Sequence, residues 1–242
     1  MKQLLVLSLA LVVATSCASL PAGDQTGADD VARAIEAHVN KTAWDNTGAI
    51  KFGFRKRRAF VWDKERGFFY MKRGDEEVWL DLWDRGGFAK KADIDVDAAT
   101  RARLLDDTWA MFCNDTFWLN PLVKLFDPGV TRELVTMDGR NGLKVSYASG
   151  GTTPGDSYVW ILDDTKKPVA VRMWVSALPV KGIEFSWTSW TTLSTGALVG
   201  TAHSAGPVEI TIDDPVGATS LSALEQNAPD RFAALVTRRS TL

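Results

Sequence analysis

Few side chains in this sequence have the types and spacing that catalysis or metal binding requires. His38 and His203 are the two histidines, and neither has neighbours at the spacing of a zinc site or a catalytic dyad. The acidic pairs 163–164 and 213–214 could act in acid–base chemistry or hold Ca²⁺, but aspartate is also a common turn residue and both pairs fall at predicted turns. The sequence contains no Gly-x-Ser-x-Gly elbow and no P-loop. It therefore predicts a protein that is not an enzyme and that uses no metal and no cofactor.

The N-terminal cysteine indicates membrane attachment. Cys17 follows an apolar run at residues 4–13, which is too short for a stable membrane span but has the form of a signal peptide. The sequence before Cys17 resembles a bacterial lipobox, although Ala14 stands where a leucine is usual. The resemblance implies a signal peptide at residues 1–16 and lipidation of Cys17; an ordinary cleaved signal peptide is the alternative. Because Ala18 is not the aspartate linked to inner-membrane retention, we expect a bacterial envelope lipoprotein at the outer membrane, facing the periplasm.

Lipidation of Cys17 would leave Cys113 as the only thiol, so no intramolecular disulfide could form. Cys113 falls on an apolar helix face and is expected to be a buried, inert residue. Residues 17–30 are small and polar, and we interpret them as the lipidated cysteine and a flexible tether.

Composition favours one large, mainly β domain. The net charge of −2 provides no basic stripe for nucleic acid, so no nucleic-acid partner is expected. The basic cluster at residues 55–58 is interpreted as a solvated loop, with a contact to acidic lipid head groups as the alternative. The sequence contains ten Trp and eleven Phe. Aromatic residues in excess of what one core uses can line a pocket, and the alternative is that a two-faced sheet simply needs them.

The periodicity predicts where the elements lie. Residues 31–39 have helical spacing, and strands with alternating apolar residues follow. A second helix is predicted at 97–114, and it leads into a hydrophobic segment at 109–130 that would cover the sheet. His203 falls in a predicted loop rich in Gly, Ala and Ser.

The predicted fold class is mainly β (α+β), a curved antiparallel sheet or incomplete β-barrel of about ten strands covered by helices. One half-barrel domain is predicted at residues 31–213. The C-terminal tail, 214–242, is predicted to be weakly helical and loosely docked.

This order of elements resembles the LolA/LolB lipoprotein-carrier superfamily. The hairpin at 163–168 with the strand that follows is similar to a turn common in that group. The run at 114–119, with 127–130 after it, resembles a family of poorly characterised bacterial lipoproteins with that fold. The resemblance implies a half-barrel with an apolar cavity that binds the acyl chains of lipids or lipoproteins, and a membrane contact through the N-terminal lipid anchor.

Aromatic residues on the predicted sheet and helix are the candidates for lining such a cavity. Each of them could instead be ordinary core packing, and alternation does not identify the concave face. The candidates are Phe52, Phe54, Trp62, Trp109, Phe112, Trp118, Trp160, Trp174 and Trp187. The alternative function is a membrane-anchored binding or sensor module of the envelope, with a core filled by its own side chains and no lipid cargo.

Overall fold

The computed structural model of the protein describes residues 18–149, 155–176, 181–226 and 228–242. The predicted signal peptide and the predicted lipidation site at Cys17 lie outside the described residues. The helices are α1 (Ala28–His38), α2 (Lys41–Asp45), α3 (Ala98–Leu119), α4 (Leu221–Leu224) and α5 (Ala233–Arg239), with a 3₁₀ turn at Pro121–Lys124. The strands are β1 (Ala49–Phe54), β2 (Arg58–Asp63), β3 (Phe68–Arg73), β4 (Glu76–Asp81), β5 (Gly87–Lys91), β6 (Ile94–Asp95), β7 (Val130–Met137), β8 (Arg140–Tyr147), β9 (Ser157–Leu162), β10 (Pro168–Trp174), β11 (Ile183–Ser186), β12 (Ser189–Thr192), β13 (Leu198–Ala205) and β14 (Val208–Ala218).

The strands form two antiparallel sheets, which confirms the predicted fold class. The nine-stranded sheet has the order β12-β13-β14-β1-β2-β3-β4-β5-β6, and the five-stranded sheet has the order β11-β10-β9-β8-β7. The two sheets approach each other where β11 meets β13. At this point the Ser204 backbone N–H donates to Ser186 Oγ at 3.0 Å. The two sheets do not close into a barrel, so the architecture is an incomplete, curved β-barrel.

Helix α3 lies inside the curve and is longer than the sequence predicts. It begins after Asp97, whose carboxylate accepts from the Thr100 backbone N–H at 2.9 Å. It continues through Leu119 and ends because Pro121 disfavours helical geometry at the residue before it; Asn120 is not helical, with φ of −163° and ψ of 77°. The predicted covering segment at 109–130 therefore consists of the second half of α3, the 3₁₀ turn and a loop.

Aromatic side chains from the inner face of the large sheet pack beneath α3. Phe60 lies between Phe52 and Phe69, with both pairs of ring centroids 5.1 Å apart. Phe112 of α3 contacts this row through Phe69 at 5.0 Å. Helix α1 completes the same core by burying Ile35, and it packs on β7 and β8. Much of the interior is therefore filled by the chain's own rings.

The C-terminal residues are firmly attached to the outer face of the large sheet. Strand β14 continues to Ala218, past the predicted boundary at 213. Phe232 and Leu235 are fully buried against a cluster that includes Phe68. Arg239 donates to both carboxylate oxygens of buried Asp81, at 2.8 and 2.6 Å. The segment 214–242 thus differs from the loosely docked tail that the sequence predicts, because an apolar patch and a buried ion pair hold it.

The first described residues also lie against the fold. Backbone hydrogen bonds join Asp24 and Leu134 in both directions, at 2.9 and 2.6 Å, and cover the edge of β7. A Cβ atom at Gly23 would lie 2.6 Å from Glu133 Cβ, so only glycine allows this close approach. Asp24 therefore bridges to the exposed edge of the five-stranded sheet, while the Pro21 and Ala18 carbonyls accept from Lys144 Nζ and Trp174 Nε1. Residues 18–24, predicted to be part of a flexible tether, thus lie against the sheet.

Within the described part of the chain, no helix combines the length and apolarity needed to cross a membrane.

Candidate ligand cleft

A cleft of about 610 Å³ remains open at one end of the curve, beyond the filled core. It lies between the C-terminal half of α3, the 3₁₀ turn and strand ends from both sheets. Its volume falls within the range of about 300–1,000 Å³ that is usual for small-molecule sites. Its apolar lining comprises Phe54, Cys113, Phe117, Trp118, Pro121, Pro128, Val130, Tyr147, Tyr158, Met173, Val175, Phe185, Val208 and Ile210. Its polar lining comprises Arg55, Arg58, Asn114, Thr116, Asn120, Lys124, Asp127, Ser149 and Asp156.

Stacked rings form the most apolar wall of the cleft. The centroids of Phe117 and Tyr158 are 4.8 Å apart, and Tyr147 meets Tyr158 edge to face at 5.7 Å. Trp118 packs against Phe185 at 4.8 Å. Burial raises the pKa of both tyrosine hydroxyls, so these rings remain neutral across the physiological range. The wall is therefore uncharged and suited to contact with hydrocarbon.

One buried ion pair connects α3 to the strand at the cleft entrance. Asp115 is completely buried, and its Oδ2 lies 3.3 Å from Arg58 Nε. Asn114 Nδ2 donates to Asp115 Oδ1 at 2.7 Å, and the Arg58 guanidinium lies 4.6 Å from the centre of the Phe54 ring. Burial raises the pKa of Asp115 to about 6, against the opposing effect of Arg58. The pair fixes the second half of α3 against the start of β2.

Asn120 offers the cleft a polar group. Only 4% of this residue is exposed, and its Nδ2 donates to the Leu198 carbonyl at 3.1 Å. Among the described residues, its Oδ1 has no hydrogen-bond partner. A ligand hydroxyl or amide could therefore donate to it.

The structure brings only part of the predicted acyl-binding set to this cleft. Phe54 and Trp118 line it. The side chains of Phe52, Trp62, Trp109, Phe112, Trp160 and Trp187 belong to the aromatic core or pack against it. Trp174 lies on the other face of β10, in a separate apolar cluster, while its neighbours Met173 and Val175 line the cleft.

Several lining residues were not among the sequence candidates. Tyr158 and Phe185 are examples. Tyr158 lies two positions before the candidate Trp160 on β9, and Phe185 of β11 lies two positions before the candidate Trp187, which directly follows that strand. The alternation of side chains along a strand places such pairs on one face. That signal identifies the face, but it does not show which end of the strand is open.

His203 does not lie in a loop, as the sequence predicts, but in β13. It is 1% exposed, and its ring centroid is 3.7 Å from that of Trp187. Its Nε2 lies 2.9 Å from the Trp118 carbonyl and donates to it. Burial lowers the pKa of His203 to about 4, so the ring is neutral at pH 7 and acts as a packing and hydrogen-bonding group.

The acidic turn residues have structural roles. Asp163 Oδ1 accepts from the backbone N–H groups of Thr165 and Lys167, both at 2.9 Å. Asp213 Oδ2 accepts from the Lys56 backbone N–H at 2.6 Å. Within the described ranges, no group of three or more His, Cys, Asp or Glu residues has an arrangement that could hold a metal ion.

Comparison with known proteins does not identify a family or a function for this chain. No protein-family model and no curated protein matches the chain. A crystal structure of a DUF1329 family protein from Desulfovibrio piger ATCC 29098 is similar over 87% of this chain and 97% of that chain, with 11% identity and a TM-score of 0.40. That protein is a distant structural neighbour, and a likeness this weak carries no argument about function. The resemblance to LolA/LolB carriers remains a prediction.

Proposed function

We propose that this protein is a non-enzymatic envelope lipoprotein that binds an acyl chain of a lipid or lipoprotein in the cleft beside α3. The observation that carries the proposal is the apolar cleft of about 610 Å³, which the side chains of the described residues leave open. The predicted lipid anchor at Cys17 and an outer-membrane location facing the periplasm belong to the same proposal.

The physical driving force is the transfer of methylene groups from water to the aromatic wall. Each buried methylene contributes about 0.8 kcal/mol, so about ten would contribute roughly 8 kcal/mol. That free energy corresponds to a Kd of about 1 μM, before the cost of ordering the chain is subtracted. Because Asn120 and Arg58 lie at the lining, a polar head group would find partners there.

A second function has one observation in its favour. The rings that pack on α3 around Phe112 fill much of the interior, as a membrane-anchored module with a self-filled core would require. In that case the cleft would be a surface depression without cargo. The two functions differ in whether an acyl chain enters the space beside Thr116 and Cys113.

A fluorescent fatty-acid probe tests this directly. The chain starting at Ala18 contains every described helix and strand and lacks Cys17. We expect saturable binding of one probe per chain. Thr116→Trp fills the cleft and should weaken binding at least about tenfold, the equivalent of about 1.4 kcal/mol.

Thr131→Trp is the matched control, since Thr131 is exposed on β7 and does not line the cleft. It should bind the probe like the unmodified chain. Thermal melts of both variants report whether each is folded. A folded wild-type chain that binds no probe, or equal binding by the two variants, would contradict the proposal and favour the self-filled module.

A further inference from the structure

The turn between β1 and β2 presents positive charge in a fixed geometry. Arg55, Lys56 and Arg57 form the turn and are exposed. The Arg55 backbone N–H donates to the Thr211 carbonyl at 2.9 Å, and the Lys56 backbone N–H donates to Asp213 Oδ2 at 2.6 Å. The turn is therefore anchored to β14, and its side chains project from a rigid support.

These charges are not used inside the fold. Arg58 is paired with buried Asp115. No ion pair involves the side chains of Arg55, Lys56 or Arg57 in the part of the chain that the structure describes. The carboxylate of Asp213, which accepts the Lys56 backbone N–H, offsets only one of the three positive charges, so the turn retains a net positive charge.

The same end of the molecule contains the cleft entrance and an exposed apolar residue. Arg55 lines the cleft, and so does Val208 at the start of β14. Val208 is 42% exposed and pairs with Ala205 across the β13–β14 hairpin. An apolar side chain therefore flanks the basic turn, a combination suited to the boundary between head groups and hydrocarbon.

The described chain also begins at this end. Trp174 Nε1 donates to the Ala18 carbonyl at 2.7 Å. A Cβ at Gly182 would lie 2.9 Å from Ala18 Cβ. Met173 and Val175 on either side of Trp174 line the cleft, whereas Trp174 lies on the opposite face of β10. Ala18 therefore lies at this end of the five-stranded sheet, on its outer face.

We propose that this end of the protein docks on an anionic membrane surface through the β1–β2 turn, with the cleft entrance facing the lipid. Each Lys or Arg near an anionic bilayer adds to the attraction, and the effect decays within a Debye length. Membrane docking requires only that the cleft lie at this end of the protein, and it does not require that an acyl chain occupy the cleft.

Vesicle flotation tests the inference with the chain from Ala18, which has no lipid anchor. The vesicles are phosphatidylcholine alone, or phosphatidylcholine with phosphatidylglycerol. We expect binding to the anionic vesicles that weakens as salt is raised, and little binding to the neutral ones. The double variant Lys56→Glu, Arg57→Glu should weaken partitioning of the protein onto anionic vesicles about thirtyfold or more. The conversion uses a tenfold change in the partition coefficient for each step of about 1.4 kcal/mol.

The matched control is Arg101→Glu with Lys166→Glu, which makes the same change in net charge. Both residues are exposed, and neither lines the cleft. The control should retain nearly all of the binding. Equal losses in the two double variants, or wild-type binding that does not distinguish the vesicles, would overturn the inference. Since Lys56 and Arg57 do not line the cleft, fatty-acid probe binding by the same variants reports the proposed function separately.

Discussion

Replacing Arg58 by methionine should destabilise the protein at alkaline pH and have little effect in mild acid. Methionine keeps an apolar contact with Phe54 but leaves the carboxylate of Asp115 without its counter-charge. At 3.3 Å, the attraction between the two charges is about 5 kcal/mol for an effective dielectric constant of about 20. Removing one partner of a buried pair typically costs about 3–5 kcal/mol.

Protonation of Asp115 limits that cost. With a pKa of about 6 in the folded protein, neutralising Asp115 at pH 8 costs about 3 kcal/mol, at about 1.4 kcal/mol per pH unit. The neutral acid does not need Arg58, so the expected loss in unfolding free energy is about 2–3 kcal/mol at pH 8. At pH 5 the wild-type carboxyl is already mostly protonated, and the expected loss is below about 1 kcal/mol.

The sign of the pH dependence follows from the direction of the pKa shift. The pKa of Asp115 is raised on folding from an ordinary 3.8, so the folded state binds the proton first and gains stability as the pH falls from above 6 towards 4. Arg58→Met removes the opposing charge and raises that pKa further, so the gain should begin at a higher pH and be larger in total.

Urea unfolding, followed by tryptophan fluorescence at pH 8 and pH 5, measures the difference. Arg57→Met is the control, because Arg57 is exposed in the turn and its substitution should change stability by less than about 0.5 kcal/mol. An equal loss at both pH values, or none at pH 8, would refute the role assigned to the Arg58–Asp115 pair.

Two further substitutions test other buried contacts. His203→Gln should remove the acid sensitivity that His203 confers. The pKa of His203 is lowered from 6.5 to about 4 in the folded state, so the wild type loses roughly 3 kcal/mol of unfolding free energy as the pH falls from 6.5 to 4. Melting temperatures measured across this pH range should fall less in the variant. Arg239→Met should lower the unfolding free energy by about 2–4 kcal/mol and expose the C-terminal segment to limited proteolysis, because Asp81 is 1% exposed and its remaining counter-charge, Arg238, is more distant; the Trp83 backbone N–H adds only a neutral donor. An unchanged cleavage pattern would show that apolar contacts alone hold α5.

Much of the fold follows from alternation along the strands, and the missed strands show where that signal fails. β5 and β6 are short and rich in charge, and β12 has few apolar residues. β13 contains small residues because Trp187 and His203 occupy the adjacent space: a Cβ at Gly200 would lie 2.7 Å from the His203 ring. A segment of small residues is typical of a loop, but here the small residues are needed in a strand because large neighbouring rings pack against them.

The candidate cleft was harder to predict because its walls come from distant segments. Aromatic content indicated a large apolar interior, but it did not separate the filled part from the open part. Trp160 and Trp174 point to opposite faces of the five-stranded sheet, and only the strand register determines which face each takes. Trp109 and Trp118 lie at different positions along α3, and only the length of that helix places Trp118 at the cleft. The docked ends of the chain escaped prediction for the same reason, since their contacts are all long-range.

The most direct test of acyl-chain binding uses Cys113, which lines the cleft and is the only thiol of the chain that starts at Ala18. Burial raises the pKa of this thiol, so its modification by a maleimide should be slow and best followed at mildly alkaline pH. The measurement is the modification rate with and without palmitate. We expect palmitate to slow the reaction in proportion to probe occupancy, and a rate that palmitate leaves unchanged would contradict occupation of the cleft.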